Sequence, residues 1–332
     1  MRASLHILLT VILALVPIST AVDYAHNQEQ QHLHAAEQLG TRFNWPAARN
    51  LAEPDDALET LTTAAAESGV NVLRVSIDSS GRDRRHIHYY VYLGGRDTQL
   101  FDIIELSRGN WPSASGLRHG ETATTIEPTN PGVVGVPNVV AGRYDLSVEP
   151  LETAYNRLPA EGTYTVEAPT RDARDEFLQL IAGALTDMSG EEYKPADLNP
   201  VDPSEIASAK LRTTASRFFL YAPYLLTLIA AALIPATVTR AGRQLGVLSL
   251  HGYPNNRIWY TTTGRPTLIT LGAGLAVTIV LALTVPEMSG ILVHTMFLRY
   301  MLASAAVLLV TYGVGMATIS RFKVSDLVKG RL

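Results

Sequence analysis

Residues 240–259, with the sequence RAGRQLGVLSLHGYPNNRIW, determine how the rest of the chain must be arranged. The stretch has three arginines and no acidic residue, and it lies between two long apolar runs. Leu245, Leu248 and Gly252 follow steps of three and four residues, which predicts a short amphipathic helix that ends at the glycine. Val247 and Leu250 lie beside that face. Such a face can rest on lipid or dock into a groove of a partner protein, and its regular spacing favours docking.

The two runs that flank this stretch belong to a set of four apolar segments. Residues 218–238, 267–285 and 300–320 carry no charge, and each has the length of about 20 residues that crosses a bilayer. The fourth run, residues 5–22, is shorter and follows Arg2, so it is either a retained span or a signal peptide cleaved after Ala21. We predict an α-helical membrane protein with a mixed α/β extracytoplasmic domain at residues 23–216 and four transmembrane helices, at residues 1–22, 217–239, 266–286 and 299–320.

The orientation follows from an uneven distribution of charge. Residues 23–217 hold 29 acidic and 17 basic residues, a balance of −12, whereas the remainder holds 2 acidic and 10 basic residues, a balance of +8. Lys and Arg accumulate in short cytoplasmic loops of membrane proteins. The basic segment 240–265 and the basic tail 321–332 are therefore predicted to be cytoplasmic, which places residues 23–216 and the short link 287–298 outside.

The external region has the pattern of a mixed α/β domain. Helices are predicted over residues 54–69, after Thr170, and from Pro203 into the second span. Residues 70–77, 86–93, 100–106 and 162–168 are typical of strands, and residues 107–129, which are rich in Ser, Gly, Pro and Thr, predict a surface excursion. The acidic balance would attract cationic ligands, but solubility together with orientation in the membrane also explains it and is the favoured account.

The sequence gives no sign of an enzyme or a metal site. It has no cysteine, no nucleophile elbow, no HExxH and no Gly-Lys pair of the kind that cradles ATP phosphates. Two groups of histidines suit zinc or copper by residue type, but their spacing favours an ordinary solvated helix and strand, so no metal is predicted. These groups are His26, Glu29, His32 and His34 on a helix, and His86 with His88 on one side of a strand.

The stretch RAGRQLGVLSLHGYPNNRIW resembles the coupling region between the second and third spans of FtsX-like and MacB-type ABC transporter permeases. With HGY at residues 251–253 and the terminal VSDLVKGRL, it is most similar to the bacteriocin-associated integral membrane protein branch. The sequence departs from the family pattern at Gln244, where an acidic residue is usual, and at Ser249, where a basic one is common. The resemblance implies ATPase-coupling residues at Arg243, Gln244, Leu245, Gly246, Leu248, Leu250, His251, Gly252 and Tyr253.

The resemblance also implies a function and a set of partners. It implies a permease subunit of the mechanotransmission type in a bacterial plasma membrane, for export of or immunity to bacteriocin-like peptides or lipids. The implied partners are a cytoplasmic ABC ATPase that binds the ATP, a second permease copy or related permease, the lipid bilayer, and an extracellular peptide or protein. No cofactor on this chain and no nucleic acid are implied. The alternative is a membrane-anchored regulator whose external domain binds a protein such as a cell-wall hydrolase.

Overall fold

The computed structural model describes residues 2–51, 53–80, 84–199, 228–229, 231–235, 247–285 and 288–321. The chain forms two compact units. We call Met1–His26 with Leu211–Leu332 the helical unit and Asn27–Lys210 the sheet unit.

The helices of the described residues differ widely in length. In chain order the helices are α1 (Arg2–Leu33), α2 (Ala35–Leu39), α3 (Pro54–Ser68), α4 (Leu100–Ile103), α5 (Ala114–Arg118), α6 (Leu151–Ala154), α7 (Arg171–Ser189), α8 (Asn255–Trp259), α9 (Arg265–Thr284) and α10 (Gly290–Arg321). The three longest of these are α1 and α10, with 32 residues each, and α9, with 20 residues. The helix α1 contributes residues to both units. A π-helical turn, Tyr260–Gly264, joins α8 to α9, and short 3-10 turns lie at Arg49–Leu51, Val140–Gly142 and Pro195–Leu198.

The sheet unit is built on one mixed sheet, in which eight strands are described. They are β1 (Thr41–Trp45), β2 (Asn71–Ser80), β3 (Arg84–Leu93), β4 (Leu106–Gly109), β5 (Thr122–Thr124), β6 (Val133–Pro137), β7 (Asp145–Pro150) and β8 (Gly162–Glu167). Their spatial order is β1-β8-β2-β3-β7-β5-β6-β4. The pairs β3–β7 and β5–β6 are parallel, and the other neighbours are antiparallel.

Each face of the sheet has its own apolar core, because side chains alternate between faces along a strand. Val72 and Tyr90 point to the face covered by α3 and α7, whose Leu61 and Phe177 are buried there. Leu73, Tyr89 and Val148 point to the opposite face, which is covered by α2, α4 and α5. The sheet therefore lies between two helical layers.

Most of the predicted elements of this unit are confirmed. The helix α3 ends at Gly69, the strands β2, β3 and β8 lie where alternation predicts them, and Thr170 caps α7 by accepting from the Ala173 N–H at 3.2 Å. The helix predicted from Pro203 falls outside the described residues.

Two predictions for this unit are wrong. Residues 100–106 form helix α4 and the start of β4 rather than one strand, because the Thr98 hydroxyl and the Glu167 carboxylate accept the N–H groups of Leu100 and Gln99 and so start a helix. Residues 107–129 are more than a surface excursion, since they include α5 and β5 and bury Leu117 and Ala123.

Some helices of the chain are long and apolar enough to cross a membrane. Three such helices occur among the described residues: Ile7–Leu33, Asn255–Thr284 and Gly290–Ser320. The remaining predicted span, 217–239, lies outside the described residues except for 228–229 and 231–235, which are helical. The helix α10 begins at Gly290, well inside the predicted link 287–298, and the Ser289 hydroxyl caps it by accepting from the Leu292 N–H.

Polar contacts join the helices of this unit near the start of α10. Arg299 Nη1 lies 3.5 Å from Asp23 Oδ2 of α1, and the hydroxyls of Tyr24 and Ser289 are 3.1 Å apart. Arg299 thus has an ion-pair partner in α1. Farther along α10, the Tyr300 hydroxyl donates to the Leu271 carbonyl of α9.

Candidate functional site

The segment at residues 247–254 ends a helical turn with a well-defined cap. The Tyr253 N–H donates to the Leu248 carbonyl at 3.2 Å and the Gly252 N–H donates to the Ser249 carbonyl at 3.0 Å. Gly252 has φ +74°, in the left-handed region. This pair of bonds around a left-handed glycine is the Schellman motif, which stops a helix and turns the chain sharply. The His251 ring strengthens the turn, because its Nδ1 donates to the Val247 carbonyl at 2.7 Å.

This capped turn carries apolar side chains that nothing in the described structure covers. Val247 is 54% exposed, Leu250 is 63% exposed and Tyr253 is 37% exposed. The Arg257 guanidinium lies 4.8 Å from the centre of the Tyr253 ring, so a cation flanks this surface. We call Val247, Leu250 and Tyr253 the apolar patch. Leu248 is different, because it packs inward against the core of the helical unit, which includes Ile258 and Tyr300.

Trp259 fastens this region to α10. Its indole Nε1 donates to the Thr311 carbonyl at 3.0 Å, and its ring meets Tyr312 edge to face with 5.1 Å between ring centres. Gly315 makes the contact possible, since a Cβ at that position would lie 2.6 Å from Trp259 Cδ1. The Tyr312 hydroxyl donates in turn to Asn256 Oδ1 at 3.3 Å. The residues that follow the apolar patch are therefore packed against α10.

The structure describes five of the nine residues predicted to couple to an ATPase: Leu248, Leu250, His251, Gly252 and Tyr253. Arg243, Gln244, Leu245 and Gly246 lie outside the described residues. Sequence reasoning missed the parts played by Arg257 and Trp259. Both residues lie in the quoted stretch. The contact of Arg257 with the Tyr253 ring and the contact of Trp259 with Gly315 produce no periodic pattern in the sequence.

A polar cleft of about 330 Å³ lies in the sheet unit, on the same face of the sheet as α3 and α7. Three adjacent strands supply its floor: His86 and His88 from β3, Ser147 and Glu149 from β7, and Thr122 and Thr124 from β5. The centres of the two imidazole rings are 3.5 Å apart and their planes are tilted by 35°. Both rings lie on one side of the strand, as the alternation of side chains predicts.

The cleft holds its polar groups in one connected network. His88 Nδ1 lies 3.2 Å from Glu149 Oε1, and His88 Nε2 lies 3.5 Å from Asp78 Oδ2. His86 Nε2 is 2.6 Å from the Ser147 hydroxyl. Burial, followed by the adjacent His88, lowers the pKa of His86 to about 4. Burial opposes ionisation of Glu149, but the hydrogen bond and the charge of His88 outweigh it, so the pKa of Glu149 is lowered.

This network does not have the geometry of a metal centre. Both ring nitrogens of His88 face carboxylates at hydrogen-bonding or ion-pairing distance. Within the described ranges, no group of three or more His, Asp or Glu side chains is placed to hold a metal ion. The helical histidines are also apart, since His34 pairs with Glu37 while the ring of buried His32 is 2.6 Å from the Tyr144 hydroxyl.

The last turns of α1 are bound to the sheet unit by polar contacts. Glu29 is buried and pairs with Arg85 at 3.1 Å and with Arg143 at 3.0 Å. Gln28 donates to the Asn138 carbonyl at 2.9 Å and accepts from the Val140 N–H at 3.1 Å. Two turns earlier, Asp23 pairs with Arg299 inside the helical unit. One continuous helix therefore carries anchoring residues for both units.

Comparison with known proteins leaves the chain without a family assignment: no protein-family model matches it, and no curated protein sequence matches it either.

Proposed function

We propose that this chain is the permease subunit of an ABC transporter of the mechanotransmission type, in which a separate cytoplasmic ATPase drives the external domain. The external domain is the sheet unit, and the substrates are bacteriocin-like peptides or lipids. In this proposal the chain lies in a bacterial plasma membrane, works beside a second permease copy or a related permease, and binds no nucleotide itself.

The observation that carries the proposal is the apolar patch on a capped turn that is fastened to a long apolar helix. An exposed apolar surface next to a membrane-spanning helix needs a partner or lipid to cover it. The hydrogen-bonded cap at Gly252 gives the patch a defined geometry, which suits a groove in a protein better than a fluid lipid surface. The basic stretch around it supports a cytoplasmic position by charge.

The contacts of Trp259 supply a path for mechanical work. A partner that moves the apolar patch would also move α8, and Trp259 would pass this motion to α10 through Thr311 and Gly315. Packed helices move as rigid bodies rather than deforming continuously. Asp23 then ties α10 to α1, and Glu29 ties α1 to the sheet unit.

The test is copurification of the full chain with the ATPase of its own host, identified by mass spectrometry as a protein with a P-loop. Leu250→Asp places a charge in the centre of the apolar patch and is expected to abolish the complex, because burying an unpaired carboxylate costs several kcal/mol. Asn255→Asp is the matched control, since it adds the same charge at the exposed start of α8, where an acid is tolerated.

Membrane insertion is measured in parallel for both variants by resistance to carbonate extraction. The proposal requires loss of the ATPase from inserted Leu250→Asp and its retention by Asn255→Asp. If inserted Leu250→Asp still carries the ATPase, or if the wild-type chain carries none, the proposal is wrong.

A further inference from the structure

A groove of about 510 Å³ runs between α3 and α7 on the surface of the sheet unit. The helix α3 contributes one stripe of side chains, spaced three and four residues apart: Asp56, Glu59, Thr60, Thr63, Ala64 and Glu67. The helix α7 contributes a second stripe, Leu180, Ala184 and Met188, at intervals of four. Residues at these spacings share one face of a helix, so the two stripes form facing walls.

The two walls differ in chemistry. The α7 wall is entirely apolar, and its Leu180 and Met188 are only partly buried against the core below. The α3 wall carries three exposed carboxylates, Asp56, Glu59 and Glu67, and the groove lining includes no basic side chain. These acids have no ion-pair partner among the described residues. A ligand here would meet an apolar surface on one side and uncompensated negative charge on the other.

We propose that this groove binds a basic amphipathic helix of an extracellular peptide or protein. The α3 stripe extends over eleven residue steps, or about 17 Å, which matches about three turns of a ligand helix. Apolar side chains of the ligand at three- and four-residue steps would pack on Leu180 and Met188. Lys or Arg on its adjacent face would pair with the α3 acids, as in other helix-in-groove complexes.

The net negative charge of the sheet unit argues against a second sheet unit as the ligand of the groove. Residues 27–210 hold 15 basic and 28 acidic residues, a balance of −13, so two such units repel each other. Attraction of a basic ligand also raises its association rate at low salt. The groove lies wholly within the sheet unit. The inference therefore does not depend on the ATPase, and it rests on the proposed function only for the external position of this unit.

The experiment uses the full chain in nanodiscs of uncharged phosphatidylcholine and measures the fluorescence anisotropy of labelled synthetic peptides of about 14 residues, a length at which short helices begin to form. The first peptide is built from Leu and Lys with leucines on one helical face. The second has the same composition in an order that has no apolar face, and the third has Glu in place of Lys. Empty nanodiscs give the lipid background.

We expect the amphipathic Leu/Lys peptide alone to bind above the background of empty nanodiscs. Its affinity should fall by roughly tenfold or more between about 0.05 and 0.5 M salt, because salt screens exposed charges. Equal binding of the reordered peptide, or no binding by the amphipathic one, would overturn the proposal.

Paired variants locate the site. The double variant Glu59→Lys/Glu67→Lys should weaken binding by roughly tenfold or more, because like charges would face each other, and Met188→Asp should weaken it by removing an apolar contact. The matched control is Asp97→Lys/Asp102→Lys, which changes net charge equally at two exposed sites outside the groove. Equal loss in both double variants would show attraction to the acidic unit as a whole and would refute the groove.

Discussion

At the scale of single residues, the capped turn depends on Gly252. Its φ of +74° lies where an L-residue other than Asn or Asp pays a steric cost of roughly 1–2 kcal/mol, and a β-branched residue pays more. No atom outside the turn lies within 4 Å of a Cβ built there, so substitution at this position tests backbone conformation without steric clash.

Gly252→Val is therefore expected to break the cap and abolish ATPase association, whereas Gly252→Asn should retain most of it, because Asn tolerates the left-handed region. The measurement is the amount of ATPase that copurifies with each inserted variant. Equal association of the two variants would mean that the Schellman turn is not needed for docking.

His86 makes the sheet unit sensitive to acid. Its pKa is about 4 in the folded chain against 6.5 for a free histidine, so the unfolded state takes up a proton first as the pH falls. Its stabilising contribution is fully present above pH 6.5 and is lost as the pH drops toward 4. Between neutral pH and pH 5 the loss is at most about 2 kcal/mol, and solvent screening of this partly exposed ring reduces it. The lowered pKa of Glu149 acts in the same direction, but only below its ordinary value of 4.5.

Hydrogen exchange of the β3 and β7 amides, corrected for the intrinsic effect of pH, measures this loss directly. The wild-type chain should lose protection between pH 7.5 and pH 5, and His86→Gln should show a flatter response, because glutamine does not titrate. An unchanged slope in His86→Gln would assign the acid sensitivity to another group.

At the scale of elements, the contact between α8 and α10 depends on Gly315, which leaves room for the indole ring of Trp259. Gly315→Ala would place a Cβ 2.6 Å from Trp259 Cδ1 and force the ring away from Thr311. Gly313 is two residues earlier on the same helix and has no atom within 4 Å of a Cβ built on it.

Gly315→Ala should lower the apparent melting temperature of the full chain in detergent and uncouple ATP hydrolysis from transport, despite the better helix propensity of alanine. Gly313→Ala should be neutral or slightly stabilising, by up to about 1 kcal/mol. The two alanine variants differ only in the contact with Trp259, so identical behaviour would remove this contact from the mechanism.

The sequence predicts the longer elements well, because they have periodic patterns. The alternation in HIHYYVYL identifies β3, and early acids with a terminal glycine identify α3. The shorter elements are not predictable in this way: α4 has four residues, and its start depends on the Glu167 carboxylate, which is distant in sequence. The start of α10 at Gly290 was missed because the predicted boundary followed hydropathy rather than the serine cap.

The candidate site is predictable to a similar extent. The glycine at the helix end is visible in the sequence, and the structure describes it in a left-handed cap. The direction of each leucine is not visible, because Leu248 and Leu250 are two residues apart and only the fold of the helical unit decides which one faces inward. Packing against a second element, as for Trp259 on Gly315, leaves no local pattern.

At the scale of the whole molecule, α1 is the element through which force would reach the sheet unit. Glu29 forms ion pairs with Arg85 and Arg143, which are each partly exposed. Removal of its charge should therefore loosen the last turns of α1 without unfolding the sheet. Losing one partner of a fully buried pair costs about 3–5 kcal/mol, and the exposure of Arg85 and Arg143 lowers this figure.

Glu29→Gln is expected to leave ATPase binding intact but to increase hydrogen exchange in residues 27–33 and to reduce transport per ATP hydrolysed. Glu37→Gln is the control, because Glu37 pairs with His34 and Arg42 on the surface, where ion pairs contribute about 0–1 kcal/mol. Normal coupling in Glu29→Gln would exclude α1 as the transmitting element.

The central claim, that the capped turn faces the cytoplasm and is covered by an ATPase, is tested most directly by labelling of single cysteines. The chain has no cysteine, so His251→Cys and Glu127→Cys each introduce one exposed thiol, in the helical and sheet units respectively. In intact bacterial cells, a membrane-impermeant maleimide should label Glu127→Cys but not His251→Cys. After permeabilisation it should label His251→Cys only when the ATPase is absent. Labelling of His251→Cys in intact cells would contradict the account.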